Sequence, residues 1–216
     1  MAKFEGKGTG TTGASSYSLR LEVEESSYSI ANNTSSVSWK LYLISTTYNF
    51  YSWSFKIKPS VDGEVYNKSE SRSISKNTTL LIASGSKTIT HNSDGSKKIS
   101  CSASVSATGA SYLPGNISVS GTLNLTNIPR TSKVSLSSTN FNIGTSITIN
   151  TNRASSSFTH TAVIKFNGST VRTQKSIGAS YKWDTSELYD YIPKANKATG
   201  TVTLTTYSGS TQDIVV

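Results

Sequence analysis

Apolar residues recur at every second position over much of the chain, and this limits it to sheet that is buried on one side and wet on the other. In SYSLRLEVEE, Tyr17, Leu19, Leu21 and Val23 share one parity, and Ser18, Arg20, Glu22 and Glu24 share the other. Successive side chains of a strand point to opposite faces, so the pattern calls for antiparallel strands covered on one face. SSVSWKLYLIS repeats it with Val37, Trp39, Leu41 and Leu43 inward, and YSWSFKIKPSV repeats it with Trp53, Phe55 and Ile57. Further on, Ile99, Cys101, Ala103 and Val105 face away from serines 100, 102, 104 and 106, and Ile117, Val119, Leu123 and Leu125 close the series. Turn dipeptides punctuate these runs at Asp62-Gly63, Asp94-Gly95 and Asn167-Gly168; the last, between alternating flanks, is the strongest hairpin signal. Gly85 reads as a break that leaves Lys87 to His91 as a short strand of its own, and Gly121 as a bulge. The polar EVYNKSESRSI stretch suits an edge strand.

The punctuation divides the chain. Residues 1–15 hold glycine at 6, 8, 10 and 13 and read as a flexible Gly-rich arm, with Phe4 as its sole large apolar group and a candidate anchor on a neighbouring subunit. Residues 16–128 carry seven or eight short strands, enough for a β-sandwich module. Residues 129–132 begin at Pro129, which removes a ladder donor, and read as a hinge. Residues 133–216 hold about six more strands and one short helical turn in WDTSELYDYIPKA, capped by Asp184 or Thr185. The expected fold is therefore all-β: two tandem antiparallel β-sandwich modules, Ig-like or jelly-roll-like, the second smaller and Ig-like.

Ser and Thr fill 71 of 216 positions, so a serine near a histidine is no evidence of a nucleophile. No GxSxG elbow, dinucleotide fingerprint or Walker loop occurs. His91 reads as a turn residue and His160 as a satisfied inward or edge residue; neither has a second ligand at zinc spacing. Cys101 has the apolar parity of its strand and reads as an inert thiol, and Asp62 and Asp94 as turn formers. No catalytic residue, metal site or cofactor is expected, and the chain reads as a non-enzyme. Its net charge of +9 is spread rather than grouped, so nucleic acid is not the expected partner, and no apolar run is long enough to cross a membrane as a helix.

The aromatics outside the core are more informative. Tyr42 has outward parity in its strand, Tyr48 and Tyr51 lie in the STTYNFYSW connection beside Phe50, and Tyr112 lies in SYLPGN. Sugar C–H faces stack on exposed aromatic rings, and the same rings suit protein interfaces. These four tyrosines are the candidate glycan or protein contacts.

The segments SYSLRLEVEESSYSIANNTSSVSWKLYLIS, ASGSKTITHNSDGSKKISCSASV, LNLTNIPRTSKVS and TLTTYSGS resemble a family of minor structural proteins of tailed phages (siphoviruses) of Gram-positive hosts. The resemblance spans residues 16–211; HNSDGSK and IPRTS are its most specific features, and Asp94, Gly95, Pro129 and Arg130 are its landmarks. The family has no assigned function, its members are often much longer, and no catalytic residue is implied. Encoded among tail, baseplate and host-recognition genes, such a protein is expected in the virion after synthesis in the host cytoplasm. The resemblance implies a tail or baseplate accessory component that connects or positions host-contacting parts, with other virion proteins as partners; a homo-oligomer is also expected, its size left open. Two alternatives are a host cell-wall polysaccharide-binding adhesin and a capsid decoration protein.

Overall fold

Each alternating segment forms a strand with its apolar parity buried. The computed structural model describes residues 1–107, 111–192, 197–208 and 211–215, and of Phe50, Ser52, Trp53 and 211–215 it describes the backbone alone. The inward reading of Trp53's side chain lies outside the described residues, whereas Phe50 and Tyr51, expected in a connection, open the strand Phe50–Val61. The chain forms two compact units: Met1–Tyr28 with Thr34–His91 and Ser96–Asn127, and Ser29–Asn33 with Asn92–Gly95 and Ile128–Val216.

The first unit carries strands β1 (Ala2–Lys7), β2 (Tyr17–Ser29), β3 (Thr34–Ser45), β4 (Phe50–Val61), β5 (Glu64–Val65), β6 (Lys68–Ile74), β7 (Thr78–Thr90), β8 (Lys98–Ala107) and β9 (Gly115–Asn124). They make two antiparallel sheets in a sandwich-like arrangement, ordered β1-β2-β3-β7 and β5-β4-β8-β9, with β6 beside β5 on the outer side of β4. The inward residues meet between them: Tyr17, Leu19, Leu21, Val37, Leu41, Leu43, Ile57 and Ile99 are fully buried. Sealing aliphatic and aromatic side chains of this size is worth roughly 1.5–3 kcal/mol apiece, which is what makes the alternation decisive. The Asp62-Gly63 turn has both residues left-handed, φ 48° and 79°, and joins β4 to β5.

Three local expectations change. The glycine-rich opening is not an arm: Ala2–Lys7 is a strand paired with Ser18–Val23 of β2. Phe4 packs on its own unit's core. Gly85 breaks nothing, because β7 runs unbroken through it and the missing side chain leaves room for the Trp39 ring, which a Cβ would meet at 2.6 Å. Gly121 marks no bulge either; β8 and β9 stay in register from Lys98↔Asn124 to Ala107↔Gly115. Its Cβ would lie 2.0 Å from the Phe4 ring, so this glycine is clearance for that ring.

The second unit holds β10 (Ser135–Leu136), β11 (Ser146–Asn150), β12 (Phe158–Phe166), β13 (Ser169–Ile177), β14 (Ser180–Asp184), β15 (Gly200–Ser208) and β16 (Thr211–Val215). Its sheets are β10-β11-β14 and β13-β12-β15-β16. Ile147, Ile149, Ala162, Ile164, Trp183, Leu188 and Leu204 form the core. Asn167 and Gly168, φ 48° and 81°, turn the β12–β13 hairpin as their dipeptide requires. Trp183 belongs to β14 rather than to the non-strand segment expected for it. The helical turn follows as a 3-10 segment, Thr185–Asp190, whose Asp184 cap accepts from the Ser186 amide at 3.0 Å.

Candidate functional site

Three loops of the first unit, 8–16, 46–49 and 111–115, are stitched together by hydrogen bonds over a buried tyrosine. Tyr17 is fully buried, and its hydroxyl donates to the Tyr112 carbonyl at 2.8 Å. Burial, and then the neighbouring Tyr48, push the Tyr17 phenol above its ordinary value, so it stays a donor. The Tyr112 amide donates to the Thr12 carbonyl at 2.7 Å and the Thr46 amide to the Ser16 carbonyl at 2.9 Å. The Ser45 hydroxyl donates to the Tyr48 carbonyl at 2.5 Å. Tyr112 is held at φ 65°, a left-handed conformation that costs a non-glycine residue about 1–2 kcal/mol.

That backbone places the Tyr48 and Tyr112 rings 4.9 Å apart, tilted by 59°. They close over Gly13, whose Cβ would fall 2.9 Å from each ring. Tyr112 is 51% exposed and Tyr51 is 74% exposed, while Tyr48 is half-buried. Two of the four candidate tyrosines therefore pair, and a third lies three residues along the chain from one of them. Tyr42 is used differently: the Arg20 guanidinium lies over its ring at 5.0 Å on the outer face of the first sheet. The sequence pointed to the tyrosines but not to Gly13, Tyr17 or the 8–16 loop that joins them. The left-handed glycines at 10 and 13 were the available signal.

Both histidines are engaged in bonds within the chain. His91 is buried, and its Nε2 lies 2.7 Å from the Ser35 hydroxyl, which in turn donates to Glu25 Oε1 at 2.5 Å. In a hydrolytic triad the histidine stands between acid and serine; here the serine stands between histidine and acid, its hydroxyl proton directed at the carboxylate. The other Glu25 oxygen accepts from the Thr126 amide at 2.7 Å and its hydroxyl at 2.8 Å. Burial raises the Glu25 carboxyl, but the bonds from Ser35 and Thr126 outweigh it and hold it below its ordinary value. His91 is thus no simple turn residue; it fastens the end of β7 to the start of β3.

In the second unit, His160 is fully buried, with Nε2 2.7 Å from the Ser132 hydroxyl and Nδ1 3.2 Å from the Ile177 carbonyl. This is the satisfied inward histidine the parity predicted. The carbonyl requires a proton on Nδ1, so Nε2 accepts from Ser132, and burial keeps the ring below its ordinary value and neutral. Cys101 is buried, and burial followed by the Asp62 charge pushes its thiol up to about 11, far from nucleophilic. Among the described residues no group of three or more His, Cys, Asp or Glu side chains is placed to hold a metal ion. No helix among them is long and apolar enough to cross a membrane.

The two most specific sequence landmarks meet in this unit. The Ile128 amide donates to the Gly95 carbonyl at 3.0 Å, and Gly95 is left-handed at φ 82°. Two residues on, Arg130 is 3% exposed; its Nη1 donates to the Ile30 carbonyl at 2.5 Å, and its guanidinium lies 5.0 Å from the Phe158 ring centre. Within the second unit, the 129–132 segment is thus bonded through Arg130 to Ile30 and through Ser132 to His160.

The chain belongs to the family described as "Siphovirus protein of unknown function (DUF859)", whose model matches residues 10–214. No curated protein matches it.

Proposed function

We propose that this siphovirus protein is a non-enzymatic structural component of the phage particle, a tail or baseplate accessory protein that connects or positions host-contacting parts. We read its two units as tandem sandwich modules, Ig-like or jelly-roll-like, that serve as stiff spacers with loops free to vary at their ends. The supporting observation is where the reactive groups sit: Ser35, His91, His160 and Cys101 are all buried and spent on packing or on bonds within the chain. A protein organised this way works by shape and surface, with other virion proteins as partners and a homo-oligomer as its working form. Mass spectrometry of purified virions, with labelled antibody located by electron microscopy, tests the reading. Label at the tail tip or baseplate supports it; absence from the particle overturns it, and label on the head would make it a capsid decoration protein.

The paired rings of Tyr48 and Tyr112 favour a second reading, a host cell-wall polysaccharide-binding adhesin. Two tilted rings on a glycine floor give a sugar an apolar face to stack on. Binding to host cells that free wall glycan suppresses, and that Tyr112→Ala weakens, would support it. Unchanged binding in Tyr112→Ala and Tyr51→Ala would remove the site.

A further inference from the structure

We infer that the outer face of β4, β8 and β9 binds a linear phosphodiester polymer of the polyol-phosphate kind, along a groove that crosses Lys58. This site is distinct from the tyrosine loops, and the inference does not depend on where in the particle the protein stands.

Register fixes the chemistry of this face. Lys56 stands opposite Ser106 and then Asn116, Lys58 opposite Ser104 and then Ser118, and Ser60 opposite Ser102 and then Ser120. Same-face neighbours along a strand lie about 6.8 Å apart, and strands about 4.8 Å apart, so the face is a grid of hydroxyl and amide groups with two adjacent cations. No Asp or Glu has the outward parity of Ser54–Ser60, Lys98–Ser106 or Asn116–Asn124. The acids nearest in sequence are already matched: Asp62 with Lys97 at 3.2 Å, Glu64 with Lys87 at 3.2 Å, and Glu70 with Lys68 and Arg72. Among the described residues neither Lys56 nor Lys58 stands in an ion pair.

The opposite sheet of the same unit supplies the contrast. There both signs interleave: Lys3 pairs with Glu22 at 3.3 Å, and Arg20 with Glu22 at 3.1 Å and Glu5 at 3.7 Å. A face selected only for solvation carries mixed charge like that one. The β4-β8-β9 face has cations alone, and it is grooved. A hollow of about 250 Å³ runs between Lys58, Ser102, Ser104, Ser118 and Ser120, and a second of about 130 Å³ adjoins it at Lys56, Lys58 and Asn67.

The occupant must be anionic, because two unmatched ammonium groups face it, and rich in hydroxyls, because beside Ala103, Val119, Ile57 and the Glu70-paired Lys68 the lining is serine and asparagine. It must also be narrow and unbranched to lie in a hollow this shallow. Phosphodiesters keep their charge at every physiological pH and accept from both Lys Nζ and Ser Oγ. Single-stranded nucleic acid fits less well: it is held by base stacking on aromatic rings, and the outward positions described here carry none.

The test uses the full chain and poly(glycerol phosphate) as probe, with neutral dextran and an oligothymidylate for comparison, by calorimetry across a salt series. Poly(glycerol phosphate) is expected to bind, dextran not. The double variant Lys56→Gln with Lys58→Gln should lose about tenfold in affinity and flatten the salt dependence by about two charges. The matched pair Lys7→Gln with Lys40→Gln, on the other sheet, should leave affinity unchanged at equal net charge. Absence of binding, or equal loss in both double variants, overturns the site. Equal or tighter oligothymidylate binding that is lost in the same variant overturns the ligand class.

Discussion

Replacing Gly95 by alanine separates two costs that a left-handed glycine can carry. The first is conformational: at φ 82° an L-residue is disfavoured by about 1–2 kcal/mol, partly offset by the lower chain entropy of alanine when unfolded. The second is contact. A Cβ on Gly95 would stand 1.8 Å from the Ile128 carbonyl oxygen and 2.9 Å from its carbon, so backbone and not a flexible side chain must give way. A shift of roughly 1 Å is needed to restore an ordinary contact, and it would break the 3.0 Å bond from the Ile128 amide to the Gly95 carbonyl, about 1 kcal/mol. It would also disturb Arg130, whose buried bond to the Ile30 carbonyl is of the charged kind, worth about 1.5–3 kcal/mol. Together the expected loss is about 3–5 kcal/mol.

Gly168 is the control within the same unit. Its φ of 81° is the same, but a Cβ there meets nothing within 4 Å, so Gly168→Ala should cost only about 1 kcal/mol. Urea unfolding monitored by hydrogen exchange in β12 and β15 reads the second unit alone. The expected difference of about 2–4 kcal/mol corresponds to about 10–20 °C in melting temperature for a unit of this size. Asparagine sharpens the comparison, because it tolerates left-handed backbone but still carries a Cβ: Gly168→Asn should be nearly neutral and Gly95→Asn nearly as damaging as alanine. Equal losses at the two glycines would refute the reasoning.

Acid should unfold the two units in different windows. His160 is held below its ordinary value of 6.5, so the unfolded chain takes up the proton first and the second unit loses stability as pH falls below about 6.5; His160→Gln should abolish that limb of a pH-dependent urea melt. Glu25 is held below its ordinary 4.5, so its contribution to the first unit is complete above that value and is lost only as pH falls further, and Glu25→Gln should flatten that lower limb. Phe4→Ala should cost about 2 kcal/mol and Gly121→Ala a similar amount, yet the double variant should cost less than their sum, because the alanine methyl occupies space the ring has left; strict additivity in a double-mutant cycle would refute the contact. Cys101 should resist maleimide at pH 8 in the folded protein and react fully in urea; rapid labelling of the native protein would contradict its burial.

The strands and the buried parity could be read from the sequence because period two is a local property: Leu19 and Leu21 announce their face within five residues of chain. Glycine could not be read the same way. Gly85 and Gly121 look like interruptions locally, but each is an absence of side chain that a ring from another strand fills, Trp39 in one case and Phe4 in the other. The opening strand was missed for the same reason. Gly6 sits where a Cβ would strike the Ser118 carbonyl at 2.6 Å, so its glycine serves close backbone approach rather than freedom. Among the candidate contacts, Tyr48 and Tyr112 stood out by composition of their loops, but their pairing depends on Gly13 and on the Tyr17 hydroxyl, both far away in sequence. Ser35 is invisible among so many serines; only the fold shows that its hydroxyl donates to Glu25.

The landmarks by which the chain resembles its family therefore do a different job from its exposed side chains. HNSDGSK and IPRTS converge where Gly95 has no room for a side chain and where Arg130, nearly inaccessible, lies over Phe158. Such positions are intolerant of change because backbone and a buried guanidinium have a single way to fit, which is a requirement of folding and carries no information about a ligand. The groups that meet the outside, Tyr112 at the loops and Lys56 and Lys58 on the groove, leave no comparable trace as a motif, since an exposed tyrosine or lysine costs the fold almost nothing to replace. Substitutions at Gly95 and Arg130 should therefore act on any activity through the stability of the second unit. Only substitutions at the exposed positions, in variants whose melting is unchanged, can separate binding from stability.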